Sequence, residues 1–93
     1  MSLKIIEHAR ERMYERGATE KEIKKVLRSG KSAKAKADRK AKEALFPFNN
    51  YWQGKFYEQK KIKTVYVEEK NNLVVITVYV YYGKWEENHE NLL

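Results

Sequence analysis

The residues LVVITVYVYY, at positions 73–82, decide the fold class. They form the longest apolar run of the chain and are almost all β-branched or aromatic. The run is far shorter than the roughly 20 apolar residues of a membrane span, and its composition is typical of a β-strand. Val74, Ile76, Val78 and Val80 then share one face of the strand, because side chains alternate along it. We expect this face to pack against helices.

Two further strand candidates precede this run. Residues 55–59 and 62–69 alternate between apolar and polar side chains, which is the period of a strand. The sequence KNN at 70–72 predicts a tight hairpin, because asparagine tolerates the positive φ of such turns. The sequence FPFNN at 46–50 predicts another turn. The C-terminal half therefore predicts an antiparallel sheet.

The first thirty residues predict two helices. Residues 5–16 place their apolar side chains within a stripe roughly 100° wide, and Gly17 then ends the helix. Thr19 and Glu22 have the spacing of a capping box, which begins a second helix over residues 20–29. The stripes consist of Ile5, Ile6, Ala9 and Met13 in the first helix, and of Ile23, Val26 and Leu27 in the second.

The segment KSAKAKADRKAKE, at 31–43, lacks any large apolar residue. Its helix propensity is high but it has no face to bury, so it is compatible with a solvated helix or with a mobile arm. We expect an α+β fold in which the helical hairpin packs on one face of the C-terminal antiparallel sheet. The expected organisation is one domain over 1–93, with the hairpin at 1–30, a basic connection at 31–44, the sheet at 45–83 and a polar tail at 84–93.

The charge of the chain favours an anionic partner. The formal net charge is +7, made up of +3 over residues 1–30, +5 over 31–60 and −1 over 61–93. Concentrated positive charge attracts polyanions, and nucleic acid is the commonest of these in cells. Basic proteins without an anionic partner are also frequent, so the charge alone does not show whether this protein binds nucleic acid.

Several chemistries are disfavoured by what the sequence lacks. There are no cysteines, hence no disulfide and no thiolate metal site, and a reducing compartment is compatible with this. There is no glycine-rich phosphate loop, no HExxH and no GxSxG motif. The two histidines are far apart, so we expect no metal and no cofactor. Charged residues begin at Lys4, too early for a signal peptide, and we expect a cytoplasmic protein without a membrane segment.

One row of side chains has the composition of a site for RNA cleavage. His8, Arg12 and Arg16 follow one another at intervals of four, so they form a strip about 80° wide beside the apolar stripe. Histidine exchanges a proton near neutral pH, and arginine binds phosphate oxygens and stabilises developing negative charge. The 2′-hydroxyl of RNA supplies the nucleophile. The alternative is a solvated helix face, with the cations paired to Glu7, Glu11 or Glu15.

Other residues are candidates for RNA contact. The tyrosines Tyr79 and Tyr81 lie on the second face of the last strand, where they either contact RNA or simply pack the sheet. Aromatic residues between positions 51 and 57, interleaved with lysines, are suited to base stacking or to a small core. The basic segment would add salt-dependent affinity without sequence preference, or act only as a solubilising arm. Its cations are Lys31, Lys34, Lys36, Arg39, Lys40 and Lys42.

The spacing of these residues resembles a prokaryotic family of unknown function, numbered 4258. The likeness covers about residues 5–30 and 55–82, with His8-Ala9-x-x-Arg12-Met13-x-x-Arg16-Gly17 as its most specific part. The segment at 31–44 departs from the short connection expected there. The closing strand pattern, Val74-Val75-Ile76-Thr77-Val78-Tyr79, is less specific.

The resemblance implies a barnase/RelE-like fold and a metal-independent endoribonuclease, toxin-like, or a degenerate relative of one. The positions that match the family's polar motif are His8, Arg12, Arg16 and Thr77. RNA is the implied substrate, and an acidic antitoxin protein is an implied partner. Two alternatives remain open at this point: a nucleic-acid-binding module without catalysis, and a protein-interaction domain of a toxin–antitoxin pair.

Overall fold

Two helices and five strands make up residues 2–85, the part of the chain that the computed structural model describes. The α+β class expected from the sequence is confirmed. Residues 86–93 of the expected polar tail lie outside the described residues. The elements in chain order are β1 (Ser2–Ile5), α1 (Glu7–Arg16), α2 (Glu20–Ser29), β2 (Lys31–Ala33), β3 (Lys40–Trp52), β4 (Lys55–Glu69) and β5 (Asn72–Gly83).

The strands form one sheet in the order β1-β5-β4-β3-β2. Strands β3, β4 and β5 pair antiparallel in succession, as expected, and β2, which the sequence did not predict, pairs antiparallel with β3. Strand β1 pairs parallel with β5, from Ser2 opposite Asn72 to Ile5 opposite Val75. The expectation of a wholly antiparallel sheet is therefore wrong at this edge. Ile5, assigned to the first helix from its sequence, ends β1 instead, because its partner strand comes from the far end of the chain.

The end of α1 and the start of α2 are fixed by interactions between residues that are close in sequence. Gly17 follows α1 with a φ of 83°, the left-handed conformation that glycine adopts without steric cost. At the start of α2 the Thr19 hydroxyl accepts from the Glu22 amide at 3.2 Å, and the Glu22 carboxylate accepts from the Thr19 amide at 3.0 Å. The capping box and the C-terminal glycine predicted from the sequence are confirmed.

The hydrophobic core lies between the helices and the sheet. Helix α1 packs against β5, and α2 packs against β3 and β4. The predicted stripe of α2 is fully or almost fully buried, and Ala9 and Met13 of α1 are buried with it. The core cluster contains Ile5, Ala9, Met13, Ala18, Ile23, Val26, Leu27, Ala44, Phe46, Ile62, Tyr66, Val75 and Val78.

The basic segment after α2 does not form a helix, and both of its ends belong to strands of the sheet. Its first residues form β2, and its last residues begin β3 at Lys40, five positions before the expected start of the sheet. Ala41 and Ala44 are buried in the sheet. Tertiary pairing with β4 therefore overrides the helix propensity of the alternating alanines and lysines.

The predicted turn at 46–50 is wrong, because these residues lie inside β3. The register with β4 shifts between Pro47 and Asn50, and Asn49 has a φ of 47°. The strand is thus irregular there but continues to Trp52. The reversal comes instead at Gln53 and Gly54, with φ values of 51° and 84°, which is the pattern of a two-residue type I′ hairpin.

The hairpin expected between the last two strands is confirmed, since β4 ends at Glu69 and β5 begins at Asn72. The positive φ falls on Lys70, at 55°, and not on an asparagine. A side chain with a Cβ is therefore held in the left-handed region at this turn.

A β-bulge at Ile76 changes which residues of β5 face the core. Val65 pairs with Thr77 whereas Tyr66 pairs with Val75, so Ile76 has no partner in the β4 register. The alternation reverses at such an extra residue. Val75 and Val78 consequently join the core cluster, and Val74 is buried outside it. The expectation that Val74 and Ile76 share the face of Val78 is wrong for this reason.

Candidate functional site

Helix α1 lies alongside β5 and runs in the same direction. The Ile6 amide donates to the Val75 carbonyl at 3.3 Å just before the helix begins. Where the helix ends, the Tyr82 hydroxyl donates to the Arg16 carbonyl at 2.7 Å. Helix α1, which carries the row of polar residues, therefore lies beside β5 between Val75 and Tyr82.

Arg16 is the residue of this row that the structure fixes most firmly. Strand β1 pairs with β5 only as far as Val75. Beyond that point the Arg16 guanidinium donates to the Val78 carbonyl at 2.7 Å and lies over the Tyr79 ring, 5.2 Å from its centroid. Arg16 thus satisfies a backbone acceptor of β5 and contacts a tyrosine of the opposite sheet face.

The other two members of the row have fewer contacts with the sheet. The Arg12 guanidinium pairs with Glu15 at 2.7 Å, one of the pairings that the sequence left open. His8 is exposed, and its imidazole makes no hydrogen bond or ion pair with any residue between positions 2 and 85. An exposed imidazole without such partners can contact a ligand directly.

The remaining predicted residues of β5 lie on the other face of the sheet. Thr77 is opposite Val65, Tyr79 is opposite Lys63, and Tyr81 is opposite Lys61. The structure brings Arg16 and Tyr79 into contact. It does not join His8 to Thr77 by any hydrogen bond within the described part of the chain.

The predicted RNA-binding cations fall into two groups. Lys40 forms an ion pair with Glu68, and the hydrogen bond that Lys40 donates to this carboxylate, followed by the charge of the carboxylate, raises the pKa of Lys40. Lys42 donates to the Leu27 carbonyl at 2.9 Å and so ties β3 to the end of α2. Lys40 and Lys42 thus contact β4 and α2. Exposed cations also lie in β2 and in the segment that follows it: Lys31, Lys34, Lys36 and Arg39.

The sequence analysis missed a buried cation beneath the turn that joins the helices. Lys60 of β4 is 7% exposed. Its ammonium group donates to the Gly17 carbonyl at 2.7 Å and to the Glu22 carboxylate at 3.0 Å. A signal was present, because Lys60 has the same parity as the core residues Ile62 and Tyr66 in β4. A lysine at an inward-facing position needs a buried anion or carbonyl.

Tyr82 is part of the same group of contacts. Burial, and then the negative charge of Glu22, raises its pKa to about 12. The Trp52 ring stacks on the Tyr82 ring at 5.0 Å with an interplanar angle of 14°. Phe48 and Tyr57 also contact this ring, at centroid distances of 5.2 Å and 5.6 Å. The cluster joins the β3–β4 hairpin to the C-terminal end of α1.

Two adjoining cavities lie at the opposite edge, beside β1. One has a volume of about 420 Å³ and is bordered by Arg10, Glu20 and Lys24. The other, of about 400 Å³, is bordered by Leu3, Leu27 and Leu73 together with Lys24. The hydrogen bond from Arg10, and then that from Lys24, lowers the pKa of Glu20. Neither cavity is bordered by His8, Arg12 or Arg16.

Two further observations concern the described residues alone. Between positions 2 and 85, no three His, Asp or Glu side chains are grouped closely enough to hold a metal ion. No helix in that part of the chain is long and apolar enough to cross a membrane.

Comparison with known proteins identifies a family. The family model described as Domain of unknown function (DUF4258) matches residues 5–80, which is most of the chain. No curated protein and no solved structure matches it. The matched range contains the whole α1 row and β5 as far as Val80.

Proposed function

We propose that this chain, which belongs to the DUF4258 family, is a toxin-like, metal-independent endoribonuclease that cleaves RNA at the α1 row. The observation that carries the proposal is the exposed imidazole of His8, unpaired among residues 2–85, in line with two arginines. The barnase/RelE-like fold and a helical hairpin on one sheet face are part of the same proposal. The α1–β5 and α2–β4 packing is compatible with them.

The chemistry requires only groups that the row supplies. His8 takes the proton of the 2′-hydroxyl, and the 2′ oxygen attacks the adjacent phosphorus. The bond from phosphorus to the 5′ oxygen breaks, and that oxygen receives a proton from the imidazolium or from water. Arg12 and Arg16 stabilise the charge that builds on the phosphoryl oxygens. The products are a 2′,3′-cyclic phosphate and a 5′-hydroxyl end.

The two arginines are suited to different tasks. Arg12 and Glu15 are partly exposed, and such an ion pair contributes only about 0–1 kcal/mol. A bound phosphate forms stronger, bidentate contacts and therefore displaces Glu15 readily. Arg16 is held by Val78 and Tyr79, so it acts as a fixed charge at the edge of β5.

The test is cleavage of cellular RNA in EDTA, with and without ribosomes, followed by mapping of the cleaved ends. We expect cyclic phosphate ends, and a rate about 10²–10⁴-fold lower for His8→Ala, because a general base contributes about that much. We also expect a loss of about 10²–10³-fold for Arg12→Ala.

Arg10→Ala is the matched control, since Arg10 also lies on α1 and pairs with a glutamate, Glu20 at 3.1 Å, but points away from the row. It should cleave at nearly the wild-type rate. Wild-type protein that leaves every RNA intact, or His8→Ala that cleaves as well as wild type, would refute the nuclease.

The exposed turn between β2 and β3 favours a second candidate, RNA binding without turnover. Lys34, Lys36 and Arg39 are exposed there. Neutralising these three should lower the slope of log affinity against log salt by about 2, because each contact with single-stranded RNA contributes about 0.7. An unchanged slope would exclude this turn as the contact.

A further inference from the structure

The tip of the β3–β4 hairpin carries an exposed aromatic pair. Tyr51 and Phe56 are opposite one another across the hairpin, with ring centroids 5.5 Å apart at 74°. Tyr51 is 67% exposed and Phe56 is 47% exposed. Large apolar side chains on a surface are informative when they are grouped, because grouping marks contact sites.

The hairpin that carries the pair is anchored to the rest of the sheet. The residues on either side of it, Trp52 and Tyr57, both contact the Tyr82 ring. The type I′ turn at Gln53 and Gly54 fixes the end of the hairpin. A ligand that stacks on the pair therefore loses little free energy to ordering of the protein.

The surroundings of the pair are suited to nucleobases. Residues 44–57 contain no aspartate and no glutamate, and the next residue, Glu58, forms an ion pair with Lys84 at 3.7 Å. Lys55 is exposed and lies over the Tyr57 ring at 5.5 Å, on the face of the hairpin opposite to the pair. Asn49 and Gln53, each two positions from Tyr51 in sequence, are also exposed. Aromatic rings stack on any base, a cation attracts the phosphates, and amides hydrogen-bond to base edges.

The hairpin tip is next to the α1 row. A Cβ atom on Gly17 would lie 3.0 Å from the Trp52 ring, so the hairpin packs directly after Arg16. From His8 to Arg16 the helix rises by about 12 Å. Trp52 faces the end of α1, and the pair lies on the opposite face of the hairpin. A strand of RNA bound along the row therefore reaches the tip within a few nucleotides and passes around its end to the pair.

We propose that Tyr51 and Phe56 form a base-stacking site for single-stranded RNA, a few nucleotides from the bond that His8 cleaves. This inference rests on the proposed function, because it takes its ligand and its direction from the α1 row. It adds a preference for unpaired RNA, since bases in a duplex do not expose their faces.

The test measures binding in the His8→Ala background, where the RNA is not consumed. Labelled oligouridine is titrated with the Tyr51→Ala/Phe56→Ala variant, and fluorescence anisotropy is recorded at several salt concentrations. We expect about 10- to 100-fold weaker binding, from the loss of stacking on one or two bases. The salt slope should not change, since no cation is removed. Binding of duplex RNA should not change either.

Two variants keep the result interpretable. Tyr14→Ala removes a tyrosine that is 89% exposed on α1 but away from the row, and it should bind like its parent. Tyr51→Leu/Phe56→Leu keeps apolar bulk without aromatic faces, and it should bind as weakly as the alanine variant. Full affinity in the leucine variant would overturn the inference in favour of an apolar contact, such as a protein partner. So would an equal loss for Tyr14→Ala.

Different experimental results would refute the base-stacking site and the nuclease activity. Cleavage by wild type, combined with unchanged binding in the alanine variant, overturns the stacking site alone. Absence of cleavage, combined with weaker binding in that variant, refutes the nuclease and supports the stacking site within a binding module.

Discussion

Replacing Lys60 by methionine should destabilise the protein more than any other single change to a lysine that pairs with a carboxylate. The Lys60 side chain is 8% exposed and that of Glu22 is 23% exposed. Methionine fills a similar volume, but it leaves the Glu22 carboxylate with the Thr19 amide alone and the Gly17 carbonyl without its donor. Breaking a buried pair by removing one partner costs about 3–5 kcal/mol.

Water reaches Glu22 in part, so we expect a cost at or slightly below the lower limit of that range, about 2–3 kcal/mol. A chain of this size is stabilised by roughly 5–14 kcal/mol in total, so the loss is a large fraction. The melting temperature should fall by about 10–20 °C. Urea unfolding followed by circular dichroism measures the change, and the slope with denaturant should stay constant.

A double-mutant cycle with Glu22→Gln isolates the interaction itself. We expect a coupling energy of about 1–2 kcal/mol, since the two groups are in direct contact. Lys61→Met is the matched control, because Lys61 is the next residue and pairs with Glu43 at 3.9 Å, with both side chains about a quarter exposed. It should cost less than about 1 kcal/mol. A Lys60→Met variant as stable as Lys61→Met, or strictly additive effects in the cycle, would refute the reasoning.

Two further changes test the packing around this site. The pKa of Tyr82 is raised to about 12 in the folded protein, so the unfolded chain loses its phenolic proton at a lower pH than the folded protein does. The stability that this difference contributes is complete below about pH 10 and is lost between about pH 10 and 12. Between these pH values the free energy of unfolding should fall by about 1–2 kcal/mol less in Tyr82→Phe than in the wild type. The same dependence of the free energy of unfolding on pH in both proteins would contradict this. The Thr64 hydroxyl is buried without a hydrogen-bond partner among the described residues, so Thr64→Val should stabilise by about 1–2 kcal/mol in the same urea assay. Thr64→Ser, which keeps the hydroxyl and loses a methyl group, should destabilise, and a destabilised valine variant would count against the unpaired hydroxyl.

The elements predicted correctly are those whose causes are local. The capping box of Thr19 and Glu22 satisfies amides within the same turn of helix, and Gly17 ends α1 through its own φ. The connection between Glu69 and Asn72 is equally short. Each depends on residues within about five positions of one another, and sequence patterns report such interactions directly.

In the candidate site, too, the features that are local in sequence were predicted and the contacts between distant residues were not. The alignment of His8, Arg12 and Arg16 on one face follows from helical geometry alone. The contact of Arg16 with Val78 joins residues 62 positions apart, and the sequence contains no local trace of it. The buried pair of Lys60 and Glu22, 38 positions apart, was missed because neither residue is unusual by itself.

The sequence by itself determined the α+β class, both helices, the last hairpin and the basic character of the chain. Tertiary structure alone decided the parallel edge strand β1, the inclusion of Ala41 and Ala44 in β3, and the bulge at Ile76 that sets which valines face the core. The physical reason is the range of the interactions. Helix caps and tight turns are stabilised by neighbours in sequence, whereas strand pairing and burial depend on partners that only the folded chain brings together.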